Sequence, residues 1–105
     1  MKQLGPTALK ARLAAGDKLQ LLDVREDWEF QTARIEGSIL IPMGQVASRI
    51  AELDSAAETV VICHHGGRSM RVAGLLEQLG FPNVINLAGG VDAWARLVDP
   101  SMPVY

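Results

Sequence analysis

Cysteine is nearly absent: the 105 residues hold one, Cys63. A lone thiol cannot close an internal disulfide, which excludes a stapled secreted scaffold and fits a reducing compartment. A surplus of charge is missing too. Ten Lys+Arg against twelve Asp+Glu leave a net charge of −2, so nothing draws the chain to nucleic acid or to an anionic membrane. No apolar run reaches the length of a membrane span. The first residues carry Lys10, Arg12 and Asp17, where a secretory signal needs an unbroken apolar stretch. There is no repeat, low-complexity segment or linker. The expectation is one cytoplasmic domain over residues 1–105, whose 49% hydrophobic content suffices for one core.

Short apolar runs at 19–24 (LQLLDV), 38–41 (SILI), 59–63 (TVVIC) and 84–87 (VINL) have strand length. They lack clean alternation over most of their length, which suits strands covered on both faces of a parallel sheet. Helical patterns lie between them. Val72, Leu75, Leu76 and Leu79 recur at i, i+3, i+4 and i+7, which predicts a helix over 69–80 capped by Ser69 and stopped by Gly80. Val91, Trp94, Ala95 and Val98 repeat that spacing over 90–98. Further helices are expected over 7–15, 27–33 and 43–53. Strands alternating with helices predict an α/β fold, a central parallel sheet flanked by helices on both faces. Ligands of such sheets bind beyond the carboxyl ends of the strands, where both Asp23 and Cys63 fall.

Cys63 opens the densest chemistry in the chain, VVICHHGGRS at 60–69. The thiolate is the nucleophilic form of cysteine, and three features here favour a negative atom. A helix N-terminus follows the loop. Gly66 and Gly67 permit positive φ, so successive N–H groups can turn inward as an anion nest. Arg68 adds a permanent cation with a fork of donors. The competing reading is a small buried core thiol. Strand, cysteine, Gly-rich turn, arginine and helix start in one run favour a functional thiol instead.

Other elements accompany the loop. LLDVREDWEF at 21–30 ends a strand with Asp-Val-Arg before an acidic helix start. IEGSILIP follows at 35–42, and GGVDAW at 89–94. These elements, in this order over nearly the whole chain, resemble the rhodanese, or sulfurtransferase, family. The resemblance implies a rhodanese-like fold and a ping-pong sulfur transfer. Cys63 would take sulfane sulfur from thiosulfate or another persulfide-type donor, carry it as a persulfide, and yield it to a thiol, a protein or cyanide. It implies that the loop residues His64, His65, Gly66, Gly67, Arg68 and Ser69 bind the substrate, with Arg68 on the donor's anionic end. Asp23 and Arg25 would support the loop. Four residues separate Cys63 from Arg68. Phosphatases of this fold have a Cys-x5-Arg loop, so the shorter loop resembles the sulfur-transfer form. Where the family commonly reads Gly-His-Ile, this chain reads Ala33-Arg34-Ile35.

The remaining candidates have plainer readings. Asp23 and Arg25 could form an ordinary surface ion pair. His64 and His65 suggest a metal, but adjacent histidines on a tight loop are expected to diverge and no further His or Cys exists, so neither metal nor cofactor is expected. They would shape the pocket mouth. Arg71 is either a source of positive potential or a solvated helix residue. Trp28, Phe81 and Trp94 are expected in the core, and residues 99–105 to wrap irregularly over the surface. Two other functions compete with an enzyme: a non-catalytic sulfur carrier or partner-binding module, and a thiolate-dependent phosphatase or arsenate reductase.

Overall fold

The computed structural model describes all residues, 1–105. Five strands, β1 (Lys2–Leu4), β2 (Gln20–Asp23), β3 (Ile39–Leu40), β4 (Thr59–Ile62) and β5 (Val84–Leu87), form one sheet. Every pairing is parallel and the order is β1-β5-β4-β2-β3. Four helices connect them: α1 (Pro6–Ala14), α2 (Asp27–Thr32), α3 (Gly67–Gln78) and α4 (Gly90–Leu97). No helix is long and apolar enough to cross a membrane.

The runs of the inner strands are buried on both faces, whereas the edge strand β3 leaves Ile39 exposed, and the alternation of the inner strands feeds two cores. Leu21, Val60, Ile62, Ile85 and Leu87 pack with Leu9 of α1 and Val91, Trp94 and Ala95 of α4. Leu22, Val61, Cys63 and Val84 pack with Val72, Ala73 and Leu76 of α3. Each fully buried aliphatic side chain stabilises the fold by about 1.5–3 kcal/mol relative to exposure. Register brings the carboxyl ends of β2 and β4 side by side, with Asp23 opposite Ile62. Cys63 follows immediately, on the α3 face.

Some expectations fail in instructive ways. Ser69 does not cap α3; Gly66 does, at φ +111°, and Ser69 lies inside the first turn, fully buried. Of the two loop glycines only Gly66 has positive φ, so the turn needs one glycine, not two. Residues 43–53 form two short 3₁₀ segments, Met43–Gln45 and Ala47–Glu52, with a non-helical break at Arg49. The segment is tied to the residue just after β2 by Met43 N–H on Val24 O and anchored by buried Val46 and Leu53, so packing overrides the helical pattern. β1 was not expected: Lys-Gln-Leu is too short and polar to signal a strand, and it exists only through its pairing with β5. Phe81 and Trp94 are core residues as expected, whereas Trp28 is 62% exposed. It stands on a six-residue helix whose inward position is taken by Glu29.

Candidate active site

Cys63 sits at the junction of β4 and α3, 1% exposed. The turn at Gly66 aims that residue's own N–H back at the sulfur, 3.0 Å from Sγ. No L side chain adopts φ +111° without strain, which is why glycine stands there. Ser69 Oγ lies 3.3 Å from Sγ on the other side. A hydroxyl has one proton, and it has competing acceptors: Asn86 Oδ1, in a very short contact, and Gly66 O at 3.1 Å. The Asn86 amide is oriented by donation from Nδ2 to Gln3 Oε1, at 2.9 Å. With its proton on Asn86, Ser69 accepts from the thiol; a negative sulfur would draw that proton toward itself. Ser69 is therefore a switchable partner of the sulfur, its one proton shared between the accepting Asn86 Oδ1 and a negative Sγ.

The loop is clamped from α4. Val91 N–H donates to Cys63 O and Asp92 N–H to His64 O, at 2.9 and 3.0 Å. Gly90, at φ +60°, makes this approach possible, because a Cβ there would collide with both carbonyl oxygens. The Gly-Gly at 89–90 thus serves the Cys63 loop rather than only its own helix.

A buried ionic network adjoins the loop. Arg25 donates to both oxygens of Asp23, at 2.7–3.1 Å, and to Ala33 O and Glu29 O. Both partners of this ion pair are 0% exposed at their side chains, so it is not the surface bridge that sequence alone allows. The Ala33 contact uses only a carbonyl, which any residue in place of the family's usual glycine can supply. Arg68 is held by both oxygens of Glu29, at 2.7 and 2.8 Å. The guanidinium keeps the Glu29 carboxyl down at about 2. Tyr105 Oη accepts from Arg25 and donates to Glu29, at 2.7 and 2.9 Å, and burial pushes the phenol up to about 12. Arg68, the residue expected on the donor's anionic end, has its charge matched by a carboxylate.

The two histidines do not diverge. Their ring centroids lie 3.9 Å apart with a 32° tilt, because Tyr105 stacks on the far face of His64 at 4.0 Å and 7°. Burial, then the neighbouring His65, lowers the His64 pKa. His64 Nε2 is shut off from solvent without a hydrogen-bond partner. His65 is exposed, its Nε2 3.9 Å from Asp92 Oδ2. The tail from Asp99 therefore does more than wrap the surface: Met102 enters the core and Tyr105 reaches the loop.

The family model described as "Rhodanese-like domain" matches residues 5–97. The chain belongs to the rhodanese-like domain family. A rhodanese-like domain protein of Staphylococcus aureus superimposes with a TM-score of 0.86 at 28% identity, covering 100% of this chain and 99% of that one. In Bacillus subtilis, "Putative sulfurtransferase YtwF" is 39% identical over 100 residues, 95% of this chain and 96% of its own length. "Putative sulfur carrier protein YrkF", from the same organism, is 39% identical over 87 residues, 83% of this chain but 47% of that protein.

Within this rhodanese-like site, Cys63, Gly66 and Ser69 converge on the sulfur. His64 and His65 lie at the mouth, while Gly67 begins α3. Arg68, Asp23 and Arg25 belong to the ionic network beside it. Arg71 is solvent-exposed. Glu29, Asn86 and Tyr105 were missed. Asn86 had a signal, a polar residue in the middle of the apolar run VINL; Tyr105 had none, since 80 residues separate it from Arg25.

Proposed function

We propose that this chain transfers sulfane sulfur through a persulfide on Cys63. The supporting observation is the Cys63 sulfur at a strand end, met by the Gly66 amide at the N-terminus of α3 and backed by Ser69. The Cys63 thiolate attacks the outer sulfur of a donor. With an organic persulfide, the donor's S–S bond breaks, a new S–S bond forms on Cys63, and the donor leaves as a thiolate. With thiosulfate the leaving group is sulfite. The transferred sulfur then carries the negative charge, in reach of backbone N–H groups that need no reorganisation. A thiophilic acceptor, such as a thiol, a protein or cyanide, attacks that sulfur and restores the thiolate.

The ionic network favours a singly charged persulfide donor over thiosulfate. Arg68 and Arg25 are matched by Glu29 and Asp23, so neither stands free for a dianion. The same observation supports a second reading, a sulfur carrier loaded by a partner protein, in line with the name of the Bacillus subtilis carrier relative. A phosphatase or arsenate reductase is less well supported, because it too needs a free cation for its oxyanion.

Intact-protein mass spectrometry decides. Incubation with a low-molecular-weight persulfide should add about 32 Da, one sulfur atom, to the wild type and nothing to Cys63→Ser. Cyanide should remove it. No gain in folded wild type with either persulfide or thiosulfate overturns the reading. Gain without multiple turnover selects the carrier.

A further inference from the structure

We propose that His64, His65 and Asp92 form a zinc-binding site at the mouth of the Cys63 loop. One ligand atom from each of the three lies within 4.8 Å of the others. Tetrahedral zinc, with bonds of about 2.0–2.1 Å to nitrogen, spaces its ligands about 3.4 Å apart. His65 Nε2 and Asp92 Oδ2, at 3.9 Å, are close to that spacing already.

Three features hold the set in place without a metal. Asp92 donates its N–H to His64 O, so the α4 clamp that shapes the loop also sets the carboxylate beside the imidazoles. Gly90 allows the close backbone approach. The His64 ring packs against Tyr105 and His65, which keeps the two imidazoles adjacent; a rotation of the exposed His65 ring is what would bring both nitrogens onto one ion. His64 Nε2, buried and unpartnered, is a second sign that this ring's polar edge is not yet satisfied.

Two imidazoles and a carboxylate suit zinc and its transition-metal neighbours, not magnesium or calcium, which prefer all-oxygen sites. The carboxylate's existing partner is Arg96 at 3.1 Å, an exposed i,i+4 pair that a metal displaces readily. Three protein ligands leave a fourth position for water or a sulfur anion. The loop that carries His64 and His65 also carries Cys63, so zinc there would sit beside the proposed sulfur-transfer site. The site itself does not depend on that activity.

Isothermal titration of untagged full chain with zinc chloride tests it, with magnesium chloride as the control metal. Wild type and Cys63→Ser should each bind one zinc and no magnesium. His65→Ala changes an exposed side chain and Asp92→Asn an isosteric, partly buried one, and circular dichroism verifies their folding. Each should weaken binding by at least about tenfold, since even groups that merely support a ligand cost that much. No zinc binding by wild type overturns the site. So does undiminished binding by both His65→Ala and Asp92→Asn, or binding that vanishes in Cys63→Ser alone, which would mean a simple thiolate complex.

Discussion

Arg68 and Glu29 meet as a two-pronged pair, Nη1 on Oε1 at 2.7 Å and Nη2 on Oε2 at 2.8 Å. Glu29 is almost wholly buried and Arg68 is two-thirds covered. The arginine five residues beyond the candidate nucleophile is thereby an internal counter-ion, and donor choice follows from that pairing.

Glu29→Gln removes the counter-charge and keeps the shape. Steady-state kinetics should show KM for thiosulfate falling by about tenfold, equivalent to about 1.4 kcal/mol of improved anion binding. The KM for a singly charged persulfide should fall less. Equal KM values for thiosulfate in wild type and variant would mean that Arg68 never limits anion binding.

The same pair makes stability acid-sensitive. Glu29 titrates at about 2 when folded, below the ordinary 4.5 of an exposed glutamate. The unfolded chain therefore binds the proton first as pH falls. The contribution is complete above about pH 4.5 and is lost progressively as pH drops toward 2. Its size is on the order of 3 kcal/mol. Urea unfolding from pH 6 down to 2.5 should show a falling midpoint, and Glu29→Gln should flatten that slope.

Tyr105 joins the network to the histidines. Tyr105→Phe deletes the hydroxyl between Arg25 and Glu29 but keeps the stack on His64, and should cost about 1–3 kcal/mol because both buried partners lose a bond. Tyr105→Ala also uncovers His64. Burial being the main cause of its lowered pKa, proton NMR titration should find the imidazole moving up toward its ordinary value. In Tyr105→Phe it should stay where wild type has it.

Gly90→Ala tests the clamp. The added methyl would collide with the carbonyl oxygens of Cys63 and His64, at a backbone conformation an L residue already resists. A loss of more than about 2 kcal/mol is expected in chemical denaturation. Gly74→Ala, on α3 with open space at its Cβ, is the matched control and should not destabilise.

The elements legible beforehand were those whose information is local. TVVIC and VINL are continuous apolar runs because both sheet faces are covered, and both became strands almost as bounded. The i, i+3, i+4 spacing of Val72, Leu75 and Leu76 located α3, though its start moved from Ser69 to Gly67 once the Gly66 turn took over the cap. The Met43–Glu52 segment misled because its apolar spacing fits a helix, while Val46 and Leu53 are drawn to the core from segments that turn more tightly.

By itself the sequence determined the chemistry on offer: one thiol, a flexible glycine turn, an arginine five positions on, and the alternation of strand and helix that puts them at the carboxyl ends of the strands. Such features depend on residue types and spacing along the chain. Only the tertiary structure decided how the charges are matched and what touches the loop. Glu29 reaches Arg68 across 39 residues, Asn86 reaches Ser69 across 17, and Tyr105 reaches Glu29 across 76. These contacts arise because a parallel sheet carries every connection back across its faces. Side chains remote in sequence then share one low-dielectric pocket, where each buried charge or polar atom must find its partner.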